Sequence, residues 1–147
     1  MALDVKVTIS LSQATGGVGF GIPLLLECGV TENAIGYTEC YSLDDVVKAG
    51  FEDTTAMYKA ANKVFTQTNR PEKIAVCQSE STIVEAITSV VSKDWRHLVI
   101  VGGTTTDYVS AAECIETTKN KLLFVSVSNE EFATLQKSLT GKTYDRT

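Results

Sequence analysis

The run Gly102-Gly103-Thr104-Thr105-Thr106-Asp107 is the stretch of this sequence best equipped to hold a ligand. Glycines let a backbone approach a bound group closely, and the amides of a helix start, helped by hydroxyls, cradle anions. The run follows an apolar strand pattern, Leu98 to Val101, and precedes a helical one, which is where open α/β sheets bind ligands. Gly102, Gly103, Thr104, Thr105 and Asp107 are therefore the candidate loop of a small-ligand or nucleotide-binding module. The charge pattern argues the other way. Neither this loop nor the matching ones, Gln78-Ser79-Glu80 and Ser126-Val127-Ser128-Asn129-Glu130, contains a Lys or Arg. Glu80, Asp107 and Glu130 bring negative charge to the same rim, and each fits a helix cap or dipole partner. No Walker pattern occurs. The glycines at 16–21 precede a strand rather than a helix, so a dinucleotide reading fails on context.

Other chemistry is thinly supplied. A nucleophilic hydroxyl or thiol needs an adjacent base, and His97 is the sole histidine, opening a strand beside Trp95 and Arg96. Trp95 is expected to pack over the sheet edge there. Cys28, Cys40, Cys77 and Cys114 are spread singly, mostly in or beside apolar runs, as buried reduced thiols are. The pairs Asp44/Asp45 and Glu130/Glu131 lie in first helical turns, where capping accounts for them. The residues predict no catalytic site, no metal site and no cofactor: the chain is expected not to be an enzyme.

The elements around these residues follow from periodicity. The sequence has 147 residues, 44% hydrophobic and 21% charged, enough for one domain burying about 70% of its unfolded surface. Its net charge is −5, and no Lys/Arg cluster is interleaved with aromatics, which argues against nucleic-acid binding. The first residues lack the pattern of a secretory leader, and the apolar run Ile22–Leu26 is too short to cross a bilayer; no membrane insertion is expected. Ile22–Cys28 and Gly36–Tyr41 read as strands, and Ser42 with Asp45 as a helix start. A helix over 54–68 buries Ala56, Met57, Ala60, Ala61, Val64 and Phe65.

Strand–helix units then recur. Strands are predicted at 73–77, 97–101 and 122–127. Between and after them come helices at 81–92, buried through Ile83, Val84, Ile87, Val90 and Val91, at 107–119, and from Ser128. Phe132, Leu135 and Leu139 are expected to anchor the last helix. Leu98–Val101 and Leu122–Val125 are continuous apolar runs, as in strands covered on both faces. The expected fold is α/β, a mostly parallel sheet flanked by helices. It spans 22–147 and is preceded by an arm and glycine-rich hinge at 1–21.

In the arm, Val5, Val7, Ile9 and Leu11 fall on one side and Asp4, Lys6, Thr8 and Ser10 on the other. Such a strand needs pairing, in its own sheet or a neighbour's, and the sequence leaves both open. Taken in order, Val5-Lys6-Val7-Thr8-Ile9-Ser10, Gly19-Phe20-Gly21-Ile22-Pro23-Leu24, Tyr41-Ser42-Leu43-Asp44-Asp45-Val46 with Phe51, and Tyr144-Asp145-Arg146-Thr147 resemble the front part of contractile tail sheath proteins of phages and prophage-like particles. The resemblance implies a structural subunit that polymerises around an inner tube and contracts to drive it through a target envelope. Its partners would be copies of itself, the inner tube and baseplate proteins. Its location would be the bacterial host cytoplasm during assembly, then the virion tail or tail-like particle. Terminal strands would link neighbouring copies, which puts Val5, Val7, Ile9, Leu11 and Tyr144 at the self-assembly contacts. It also implies a C-terminal sheath domain beyond Thr147.

Overall fold

The computed structural model describes residues 21–118 and 120–141. The arm residues Val5, Val7, Ile9 and Leu11, and Tyr144, lie outside the described residues. Among the described residues, five strands and five helices follow one another: β1 (Ile22–Cys28), β2 (Thr38–Cys40), α1 (Leu43–Lys48), α2 (Ala56–Phe65), β3 (Ile74–Ser79), α3 (Ile83–Val90), β4 (Trp95–Ile100), α4 (Thr105–Thr118), β5 (Leu122–Phe124) and α5 (Asn129–Leu139). They form one sheet in the order β2-β3-β1-β4-β5, with β1, β3, β4 and β5 parallel and β2 antiparallel on the β3 edge. The fold is α/β, a mostly parallel sheet flanked by helices.

β1 is central because it is apolar on both faces. Leu24 and Leu26 point into a core closed by α3, α4 and α5, with Ala75, Leu98, Ile115 and Leu123. Leu25 points the other way, into a core with Ile74, Val76, Val46, Phe51, Met57, Ala61 and Phe65 under α1 and α2. That is why the run alternates nowhere. The register between β1 and β4 slips by one residue: Ile22 pairs with Trp95 and Pro23 with His97, leaving Arg96 as the extra residue. The irregularity falls at Pro23, which has no N–H to give the ladder. It also turns Trp95 onto the same core face as Leu98.

Trp95 therefore does not pack over the sheet edge. It is 1% exposed, lies inside β4, and its indole Nε1 donates to the Val90 carbonyl at 2.6 Å. Helix starts appear where capping residues stand. Ser42, Thr55, Thr82 and Ser128 each accept from a backbone amide in the first turn. Three packing expectations are corrected. Val84 is 42% exposed because Ala86, at helical spacing from Ile83 and Val90, takes the buried place. Phe132 is 57% exposed, and of α5 only Leu135 is buried. Phe124 is 56% exposed because α1 and α2 cover the other strands of that face and leave β5 bare; β5 itself stops at Phe124 rather than reaching Val127.

Candidate functional site

The chain leaves β1 towards β3 on one side, and leaves β4 towards β5 on the other. The sheet's switch point thus lies between the carboxyl ends of β1 and β4, at Cys28 and Ile100, and the loop 101–104 borders it. Gly102 and Gly103 sit there for backbone reasons. Gly102 has φ +71, the left-handed turn that redirects the chain from strand to helix. A Cβ on Gly103 would stand 2.6 Å from Ile100 Cγ2 and 3.0 Å from Tyr108 Cε1, so the loop is pressed onto the first turn of α4.

Thr104 and Asp107 close that turn on themselves. The Thr104 amide donates to Asp107 Oδ2 at 2.8 Å, the Thr104 hydroxyl donates to the same oxygen at 2.7 Å, and the Asp107 amide donates back to Thr104 Oγ1 at 3.4 Å. Thr105 is the first residue of α4. The other two helix starts at this rim repeat the device. The Thr82 amide donates to Glu85 Oε2 at 3.2 Å, and the Ser128 amide donates to Glu131 Oε2 at 2.8 Å. Bonds from the Ser128 backbone and hydroxyl hold the Glu131 carboxyl below its usual range. Each positive helix end is thereby occupied by a carboxylate of its own chain, where an incoming phosphate would need to bind.

The β1–β3 half of the rim is covered by the connection 29–37. The Gln78 amide donates to the Ile35 carbonyl at 2.6 Å, and the Ile35 amide donates to Gln78 Oε1 at 3.4 Å. Gln78 Nε2 donates to Glu27 Oε2 at 2.7 Å, and the Val30 amide donates to the Ser79 carbonyl at 3.2 Å. Gln78 is thus the tie that holds this connection down. Sequence reasoning placed it in the loop set without a role, and a lone glutamine at a strand end carries no signal that would reveal one.

The thiols are chemically quiet. Cys28, beside the switch point, is pushed up to about 11, by burial first and then by Asp107, Cys77 and Glu27. Cys40 is pushed up to about 11 by burial and Asp45, and burial raises Cys77 and Cys114. All four are free cysteines, and at neutral pH each is the thiol rather than the nucleophilic thiolate. His97 is held below its usual value by burial, then by Arg96. Its ring stacks at a tilt on Phe124, centroids 5.6 Å apart. Among the described residues, no three His, Cys, Asp or Glu side chains gather as a metal set, and no helix is long and apolar enough to cross a membrane.

One buried cation escaped the sequence reading. Lys121 is 4% exposed, and its ammonium donates to the Lys93 carbonyl at 2.9 Å and to the Trp95 carbonyl, over the Trp95 ring. It stands at the amino end of β5, on the opposite side of the sheet from the glycine loop, and ties the α3–β4 turn to the α4–β5 turn. No family model matches the chain, and no curated protein matches it.

Proposed function

We propose that this chain is a structural subunit of a contractile tail sheath, working through contacts with copies of itself, the inner tube and the baseplate. Its place is the bacterial host cytoplasm during assembly and the tail of the finished particle. The observation that carries the reading is the ordered set of segments resembling sheath proteins, several of whose described members are structural in the fold. Ile22–Leu26 is the central strand; Ser42 and Asp45 cap α1; Val46 and Phe51 are buried beneath it. The closed rim supports the same direction. Where an α/β protein would hold an anion, this one spends its helix ends on Asp107, Glu85 and Glu131.

A second reading draws on the location of the glycine loop. Gly102, Gly103, Thr104, Thr105 and Asp107 border the switch point, the usual seat of a small ligand or nucleotide. Thermal-shift titration with nucleoside phosphates and inorganic phosphate separates the two, and the sheath reading expects no shift. The sheath reading is tested directly by recovering the tagged chain from cells that produce the particle. It should come with untagged copies of itself and with tube protein. Recovery as a monomer alone, with intact particles present in the same lysate, contradicts it.

A further inference from the structure

The connection 29–37 joins β1 to the edge strand β2 by passing over the carboxyl end of β3. None of its residues is buried. The hydrogen bonds that tie it to the sheet go to the adjacent residues Gln78 and Ser79. One of these bonds is made by a side chain. Gln78 Oε1 accepts the Ile35 amide at 3.4 Å, while Nε2 of the same carboxamide donates to Glu27 Oε2 at 2.7 Å. Apolar anchoring is slight: Ile35 and Tyr37 are only half-buried, one against each of the two cores. Two features weigh against the closed form. Asn33 stands at φ +54, in the left-handed region that residues with a Cβ rarely adopt. The Tyr37 hydroxyl oxygen is buried with no hydrogen-bond partner among the described residues, and a buried polar group left unpaired costs stability.

We infer that residues 29–37 form a strap, latched by the Gln78 side chain, which opens as one unit while the sheet beneath it stays folded. Local opening of this kind is drawn from segments with few buried contacts. The ends of the unit are fixed. Cys28 is paired with Ser79 in the β1–β3 ladder, and the fully buried Cys40 pins β2 beside Ile74. Gly29, at φ +73, is the pivot: nothing stands within 4 Å of the place a Cβ would take, so the chain can swing there without obstruction. Ile35 couples the bonds to one another. It gives its amide to the Gln78 side chain and takes the Gln78 amide on its carbonyl, so its release leaves the Val30 amide on the Ser79 carbonyl, at 3.2 Å, to hold the segment. Opening returns the Tyr37 hydroxyl to water and frees Asn33 from its left-handed turn. It bares the carboxyl ends of β1 and β3, with the Gln78 carboxamide still held by Glu27. The glycine loop borders the other half of that rim, so the strap sets how much of the switch point a partner can reach. It rests on neither reading of function.

Hydrogen exchange read residue by residue on the full chain tests the strap. The amides of Val30, Ile35 and Gln78 make its bonds to the sheet. They should share one protection, at least about tenfold below that of Leu24–Leu26 in β1. Low urea should leave that protection unchanged, since little surface is exposed by the opening. Gln78→Ala should lower all three together by about fivefold or more, Val30 included, although the Val30 bond does not involve that side chain. Ile115→Val, in the core under α4, should lower the protection of Leu24–Leu26 by about twofold or more and leave the strap as it was. A loss confined to Ile35 in Gln78→Ala overturns the single unit, and no loss at all overturns the latch. Strap amides that follow Leu24–Leu26 in Ile115→Val or in urea would be exchanging by global unfolding, which overturns the proposal.

Discussion

Gly103 shows how much a single atom decides. An alanine there drives its methyl into Ile100 and Tyr108, both held in the core, and should cost about 1–3 kcal/mol in urea unfolding. The rule is steric, so Gly103→Ser should cost as much. If the loop instead owed its glycines to a ligand, stability would be untouched and only binding would change. Trp95→Phe removes the indole donor to Val90 and the face beneath Lys121, and should cost about 2–4 kcal/mol. His97 gives a pH signature. Its folded value lies below that of the unfolded chain, so the unfolded state takes up the proton first as pH falls. The stability associated with it is complete above about pH 6.5 and is lost as pH falls from there through the lowered folded value. Because it is the sole histidine, His97→Phe should flatten the stability curve between pH 7 and 5.5.

At the scale of elements, α5 is the weak member. Ser128→Ala removes its N-cap and should cost about 1 kcal/mol, and α5 should open in hydrogen exchange before α3 or α4. Opening of α4 first would show that burial does not set the order. The same elements show what periodicity carries and what it misses. The β1, β3 and β4 runs, the α2 positions Met57, Ala61 and Phe65 and the α4 face Tyr108, Ala111, Ala112 and Ile115 were legible, because burial on a covered sheet needs a fixed spacing; Ala56, expected in the same α2 stripe, is exposed. Phe132 and Phe124 were misread because an apolar residue at the right spacing looks buried even where no neighbour comes to cover it. Trp95 was misread because the slip at Arg96 reverses the face, and nothing local in the sequence signals a slip. Lys121 was invisible for the reason that lysines are normally on the surface: only the two carbonyls and the indole make its burial tolerable. The loop 102–107 was placed correctly at the rim and Asp107 was rightly read as a cap, whereas the caps of α3 and α5 are Glu85 and Glu131 rather than Glu80 and Glu130. That Asp107 takes both the amide and the hydroxyl of Thr104 is a matter of side-chain geometry, which spacing suggests but does not fix.

For the whole molecule, the two ends of the sheet differ in kind. Its carboxyl rim is acidic and tied down, by Asp107, Glu85 and Glu131 at the helix starts and by Gln78 across the 29–37 connection. Among the described residues, its β5 side carries exposed aromatic surface at Phe124 and Phe132. The most direct measurement of the central claim is immunogold electron microscopy with antibodies to this chain, on particles released by the cells that encode it. The account predicts label repeating along the outer wall of extended and contracted tails. Tails left bare, with the chain abundant in the same lysate, would contradict it.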